Sequence, residues 1–326
     1  MARLVAAAAS SHAFALNPPE TWDASRENNR QRYARRYNIE APPEHPMVAQ
    51  ETDEELQFHG RRISETHQHI AQSLENARLD ALIVVGDDQD EAFTAQTFFP
   101  QLAIYTGPDY GLFRRPNEQH KEGEFYKGYP AFAEHLLTGA VNAGFDVVDL
   151  KTLPPDGLLR THSISPVVDK LAPNISCPVI PIFVEGIHMP APSPRRCYEF
   201  GRALAAAIES WPGDEKIGVI ASGGLSHVTQ GYPYASAPTV SYGNIHVDFD
   251  RAQVERMAQG RGAEMAELTN EDLLANGDVE MRSWITVMGM IGGTKADVIV
   301  YEPSFRSLMG MAAAYWDPQK AMATSR

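Results

Sequence analysis

An α/β domain is the fold this sequence predicts: a central twisted, mostly parallel sheet flanked by helices, with the active-site cleft at the strand carboxyl ends. Three observations predict it. Asp80–Gly86, Cys177–Val184 and Ile217–Ala221 are short apolar runs, the pattern of strands covered on both faces. Amphipathic helical stretches lie between them, over residues 53–78 and from Ser193 to Trp211. Each apolar run ends in glycine or polar residues, at the place where open sheets of this kind bind ligands. With 326 residues and 43% hydrophobic content, the chain is expected to form one domain over residues 1–326.

Taken in order, Leu4–Ala9 reads as a first strand rather than as the apolar core of a signal peptide, because only Arg3 is basic and the run is short. It leads into Ser10-Ser11-His12. Pro18 and Pro19 then bar a continuing helix. Residues 23–50 are charged and carry Pro42, Pro43 and Pro46, so they are expected as an irregular or partly helical excursion over the surface. Arg26, Arg30, Arg32, Arg35 and Arg36 within it read most simply as a solvated face, with contact to an anionic substrate or a partner chain as the alternative. Leu56, Ile63, Ile70 and Leu74 place one apolar stripe on a helix over 53–78.

Further strands are expected at Leu102–Thr106 and Asp146–Leu150, with a polar, glycine-rich loop within 102–130 and a helix over 130–143. A short helix is expected over Pro166–Leu171. Ser193 as N-cap with Pro194 at the first helical position starts the helix that runs through Trp211. A loop over 232–247, mostly helical structure over 248–292, a last strand at Lys295–Tyr301 and a packed tail at Ala312–Trp316 complete the expectation.

Composition excludes several classes. The 42 acidic residues against 28 Lys plus Arg give a net charge of −14, which disfavours nucleic-acid and anionic-membrane partners. Cys177 and Cys197 have neither disulfide-framework nor zinc-finger spacing, so a reducing cytoplasm is the expected setting. No apolar segment approaches the roughly 18 residues of a membrane span.

The residues that carry chemistry follow strand ends or begin helices. Ser222-Gly223-Gly224-Leu225-Ser226-His227 would deliver His227 just beyond a strand, where the alternative is an ordinary turn histidine. His12 follows the first strand. Asp87-Asp88-Gln89-Asp90-Glu91 follows another; if the backbone stays extended, Asp87 and Gln89 share a face and Asp88 points away, whereas a capped helix start is the structural alternative. His162 precedes a short helix, and Glu280 stands in the first turn of an apolar helix, where the dipole favours a carboxylate. His59 is expected to pack beside the apolar stripe, with a cleft-facing role kept open. Two histidines and a carboxylate are the common facial set for iron(II) oxygenases, and this chain can supply one.

These pieces, with Pro192-Ser193-Pro194-Arg195-Arg196 and the Val84–Phe93 segment, resemble the class III extradiol ring-cleaving dioxygenases, the family of the catalytic subunit of protocatechuate 4,5-dioxygenase. The likeness runs in order along nearly the whole chain. It implies iron(II) bound by His12 and Glu280, an acid/base role for His227, and contact of His162 with substrate or oxygen. A histidine expected as second nitrogen ligand is replaced by Gln89, a harder and weaker donor, as in relatives similar to 3-O-methylgallate dioxygenases. Gln89, Asp87 and His59, in that order, are the candidates to complete the metal site, and His188 and Arg195 the candidates to select a substrate carboxylate. The resemblance implies a small aromatic substrate and O2, a homodimer by default, and room for a small accessory subunit. A metal-dependent hydrolase or decarboxylase on the same scaffold, or a non-catalytic subunit, are the competing functions.

Overall fold

The computed structural model describes residues 1–94, 98–113, 124–228 and 242–320. The expected loop over 232–247 lies, as far as residue 241, outside the described residues, as does much of the glycine-rich loop within 102–130.

The elements in chain order are β1 (Arg3–Ser10), α1 (Trp22–Tyr37), α2 (Asp53–Ala77), β2 (Ala81–Gly86), β3 (Leu102–Tyr105), β4 (Tyr110–Leu112), β5 (Phe125–Tyr126) and α3 (Pro130–Asn142). There follow β6 (Val148–Leu150), β7 (Leu158–Leu159), α4 (Ser165–Leu171), β8 (Val179–Val184), α5 (Pro194–Ser210) and β9 (Lys216–Ser222). The chain continues through α6 (Val247–Ala258), α7 (Asn270–Asn276), α8 (Met281–Ile291), β10 (Val298–Ser304) and β11 (Met309–Trp316).

An eight-stranded sheet in the order β10-β11-β1-β9-β2-β8-β3-β6 organises the molecule, and β4, β5 and β7 form a small second sheet. Its centre, β1-β9-β2-β8, is parallel throughout. The flanks mix direction: β11 runs antiparallel to β1, β10 to β11 and β3 to β8, while β6 is parallel to β3. Every residue of β2 and β8 is buried, because helices cover both faces. Leu82 and Val84 face the core formed with α2 and α4. Ile83 and Val85 face the opposite core, formed with α3, α5 and α8. This is the single α/β domain with a mostly parallel sheet that the apolar runs predict.

Local chemistry sets the helix positions. A capping box between Thr52 and Glu55 starts α2, and Ser193 accepts from the Arg196 N–H to start α5 behind Pro194. The crossing of α5 over α8 requires glycine. A Cβ at Gly201 would lie 1.9 Å from the Thr286 carbonyl oxygen, so a side chain there would push α8 away from the sheet.

One expectation is corrected and one is sharpened. Ala312–Trp316 is no packed tail but the end of β11, a fully buried strand between β1 and β10; its small alanines fit where helices press on both faces. The excursion over 23–50 is partly helical, and its helical part is the regular 16-residue helix α1, which starts only after Pro18 and Pro19 are passed.

Candidate active site

The parallel strands all end on one side of the sheet, and the chain beyond each end carries a polar group. His12 follows β1, Asp87 and Gln89 follow β2, and His227 follows β9. Glu280 comes from the N-terminus of α8. It reaches β9 because Gly223 has no side chain: a Cβ there would lie 2.9 Å from both the Cβ and the carbonyl oxygen of Glu280. The Trp284 indole N–H donates to the Gly223 carbonyl at 3.0 Å and fixes α8 against this turn.

Donor atoms of His12, Asp87 and Glu280 all lie within 4.8 Å of one another, and all three side chains are buried. Glu280 is the hub. Its Oε2 is 3.4 Å from His12 Nε2 and accepts from the Gly224 N–H at 2.6 Å. Its Oε1 is 3.2 Å from His227 Nε2 and accepts from Gln89 Nε2 at 2.7 Å. Burial opposes its charge, but His12, His227 and the Gly224 N–H outweigh burial and hold the carboxyl below its usual range.

The Gln89 amide nitrogen also donates to Asp87 Oδ2 at 3.1 Å, so this side chain orients both carboxylates. Asp87 Oδ1 is buried and has no hydrogen-bond partner. Burial, then the Glu280 charge, pushes the Asp87 carboxyl well above the usual carboxylate range. Burial lowers His12 to about 4 despite Glu280, which leaves a neutral imidazole with a lone pair to offer. An orphaned carboxylate oxygen, a second carboxylate and a neutral imidazole converging on one point fit a divalent cation of iron(II) type. The set is one histidine and two carboxylates.

Two further histidines face this centre. His227 Nδ1–H donates to the Leu225 carbonyl at 2.7 Å, which directs Nε2 to Glu280. Burial disfavours its charge, but Glu280 and the Leu225 carbonyl outweigh this and raise the pKa to about 9. His162 Nδ1–H donates to Glu91 at 2.7 Å, and the ring stands edge-on to His12 with centroids 4.6 Å apart. Burial is again outweighed, here by Glu91, and its pKa also rises to about 9. A cavity of about 570 Å³ opens from these residues. His12, Gln89, Glu91, His162, His227 and Glu280 form its inner wall; Ser25, Asn29, Arg32 and Arg36 of α1 line it as well.

Sequence reasoning placed His12, Glu280, His227 and His162 in one site, and the structure brings them together. Asp87 lies with His12 and Glu280, while Gln89 presents its amide nitrogen to both carboxylates. The backbone does not stay extended past Gly86 but bends at Gln89 and Asp90; Asp88 is turned from the centre by accepting from the Glu91, Ala92 and Phe93 N–H groups, although no helix follows. Three candidates are not brought in. His59 Nδ1 is 2.7 Å from Glu302, beside the apolar stripe of α2. His188 lies between Glu185 and Asp90, each at 3.2 Å, and stacks on Phe99, outside the cavity lining. Arg195 is exposed and pairs with Glu267 at 2.7 Å. Each has a carboxylate partner distant in sequence or a local one that its own stretch did not reveal. Arg32 and Arg36, two members of the arginine cluster expected mainly as a solvated face, line the cavity; Ser25 and Asn29 beside them on α1 are not singled out in the sequence, and their spacing along the helix is the signal.

A mostly parallel α/β domain with a buried cation-binding set at its strand ends and two histidines facing it defines a class of metal-dependent enzyme. The chain belongs to the family described as the catalytic LigB subunit of aromatic ring-opening dioxygenase, whose model matches residues 44–314. It is 36% identical over 107 residues to a gallate dioxygenase of Pseudomonas putida, a match covering 32% of this chain and 30% of that protein. A 2,3-dihydroxyphenylpropionate/2,3-dihydroxicinnamic acid 1,2-dioxygenase of a Mycobacterium species is 25% identical over 187 residues, which cover 50% of this chain and 55% of that protein. The chain thus spans about a third to about half of the length of these relatives. The crystal structure of the protein JW3007 from Escherichia coli K12 shares the fold, with a TM-score of 0.52 at 14% identity over 95% of this chain and 99% of that one. Among the described residues, no helix is long and apolar enough to cross a membrane.

Proposed function

We propose that this protein is a non-haem iron(II)-dependent extradiol dioxygenase that opens the ring of a catechol- or gallate-like substrate with O2. The observation that carries this proposal is the buried convergence of His12, Asp87 and Glu280, two of which, His12 and Glu280, line a cavity that His162 and His227 also line. Iron(II) bound there would supply Lewis acidity toward the two ring oxygens and an electron path between ring and O2. The diol-named relatives and the family support the same substrate class.

The protein's own groups divide the remaining work. His12 Nε2, Asp87 and Glu280 hold the cation, and Gln89 keeps both carboxylates turned toward it. His227 Nε2 is the atom that exchanges a proton with a phenolic oxygen. Its proton is held by Glu280 Oε1, so neutralising Glu280 lowers the pKa from about 9 toward the range where both proton capture and release are efficient. His162, fixed by Glu91, turns its Nε2 to the substrate side as a second hydrogen-bonding group. Residues 1–326 are proposed to act as one catalytic domain, as a homodimer in the cytoplasm with room for an accessory subunit. The two free cysteines support the reducing setting.

Isotope labelling tests the reaction. Iron(II)-loaded protein given protocatechuate or gallate under ¹⁸O₂ is expected to release a ring-opened acid carrying both labelled oxygen atoms. A product without label, or formed equally under nitrogen, contradicts the assignment.

A further inference from the structure

Ser226 directs every polar group it has to other parts of the chain. Its N–H donates to Asp250 Oδ1 at 3.2 Å and its hydroxyl to Asp250 Oδ2 at 2.7 Å, while the hydroxyl oxygen accepts from the His246 N–H at 2.9 Å. Its carbonyl accepts from the Gly310 N–H of β11 at 2.9 Å. Ser226 and Asp250 are both fully buried. Four bonds, to the start of α6 and to β11, therefore fix the residue that precedes His227.

Asp250 is held in turn. The Tyr301 hydroxyl of β10 donates to Oδ2 at 2.6 Å, and the Asp250 N–H donates to the His246 carbonyl at 3.0 Å. Three donors thus converge on the two side-chain oxygens, the environment of a group that only accepts. Asp250 is neither one of the residues lining the cavity nor one of the set that would hold the cation.

The bond at Oδ1 carries the consequence, because the Ser226 N–H and the Leu225 carbonyl belong to one peptide unit. That unit is planar and trans, so its N–H and C=O point in opposite directions and anchoring one aims the other. The Leu225 carbonyl accepts from His227 Nδ1–H at 2.7 Å, and His227 Nε2 faces Glu280 Oε1 at 3.2 Å. A continuous line of bonds runs from the Asp250 carboxylate through one peptide to the imidazole. Hydrogen bonds in such a chain polarise one another, so a carboxylate on the N–H makes the carbonyl beyond it a stronger acceptor.

We propose that Asp250 is a positioning residue for the acid/base chemistry: it fixes the Leu225–Ser226 peptide, and through that peptide keeps the proton on Nδ1 of His227 and turns Nε2 to the reacting centre. This rests on the ring-opening activity proposed above and adds a carboxylate that acts on His227 without reaching the cavity.

The test compares Asp250→Ala, which removes the acceptor, with Asp250→Asn, which leaves a neutral one, in the full chain and again in the His227→Ala background. With iron(II)-loaded protein and protocatechuate or gallate, Asp250→Ala is expected to lower kcat by about tenfold to a hundredfold, with Asp250→Asn between it and the wild type and with KM and iron content near normal. In the His227→Ala background the same substitutions should cost no further activity, since the group they act through is gone. An unchanged kcat, an equal loss in both backgrounds, or loss of iron overturns the assignment. If Asp250→Ala does not fold, Asp250→Asn and Tyr301→Phe, which removes one of the two hydroxyls on Oδ2, carry the same comparison under the same criteria.

Proton NMR of the metal-free protein reads the bond itself. The wild type is expected to show a downfield, slowly exchanging His227 Nδ1–H signal, absent in His227→Ala, that moves upfield or exchanges away in the Asp250 variants. A signal unmoved by them overturns the assignment. An altered signal in a protein that consumes no oxygen leaves the positioning role standing and removes the ring-opening activity; oxygen consumption with an unmoved signal does the reverse.

Discussion

The Gln89 amide nitrogen donates to Glu280 Oε1 at 2.7 Å, across 191 positions of sequence, and to Asp87 Oδ2 at 3.1 Å. Carboxylate oxygens only accept, so the amide must present its N–H groups and turn its oxygen elsewhere. A residue at a ligand position in the resemblance thereby acts as the clamp between two ligands.

Gln89→Ala should therefore retain metal binding while weakening it by about tenfold to a hundredfold, the usual cost of losing a group that orients ligands. Anaerobic iron(II) titration measures this. An unchanged affinity would show that the clamp has no role, and complete loss of metal would show that Gln89 itself ligates.

Asp87→Asn should weaken iron(II) by more than about a hundredfold, since it removes a ligand charge rather than an orienting bond. The metal-free variant should be more stable than metal-free wild type by about 1 kcal/mol or more, because it relieves a buried carboxylate with an orphaned oxygen beside Glu280. Thermal unfolding with and without iron separates the two effects; a variant that binds iron normally contradicts the ligand set.

His227→Ala should lower turnover by about a hundredfold to ten-thousandfold with metal content near normal, as expected for loss of a positioned acid/base group. Metal analysis beside steady-state kinetics decides this. Loss of the metal would reassign His227 from proton transfer to ligation.

His162 supplies a pH dependence. Its folded-state pKa is raised from 6.5 to about 9, so its contribution to stability is fully present below about pH 6.5 and is lost as pH rises through about 9. Metal-free protein should accordingly unfold more readily at about pH 10 than at about pH 6. Glu91→Gln should remove the His162 share of this difference, the His227 share set by Glu280 remaining, and cost about 1.5–3 kcal/mol at the lower pH, the range for a hydrogen bond to a charged group. Equal pH profiles for variant and wild type in urea unfolding would contradict the pairing.

Much of the site is legible in the sequence because strand ends are. β2, β8 and β9 are buried on both faces and read as unbroken apolar runs, so the runs themselves mark the residues just past them as cleft residues. Asp88 is separated from Asp87 and Gln89 by loop contacts with the Glu91, Ala92 and Phe93 N–H groups and the Thr161 hydroxyl, which the sequence does not show. What the sequence hides depends on what a polar face looks at. Ser25, Asn29, Arg32 and Arg36 have the spacing of a helical face, but a stripe facing a polar cavity has the same composition as one facing water. His59, His188 and Arg195 look available until Glu302, Asp90, Glu185 and Glu267 arrive beside them through the fold. β11 is obscured by its run of alanines, which carries little strand preference and is buried because helices and neighbouring strands close around it.

The most direct test is oxygen uptake by anaerobically iron(II)-loaded protein supplied with protocatechuate, gallate, 3-O-methylgallate and catechol, with His12→Ala as the control. The predicted result is uptake with a yellow ring-opened product from at least one diol, absent in the control. No uptake with any diol, although the metal is bound, would contradict ring opening and point to hydrolytic or decarboxylating chemistry at the same metal.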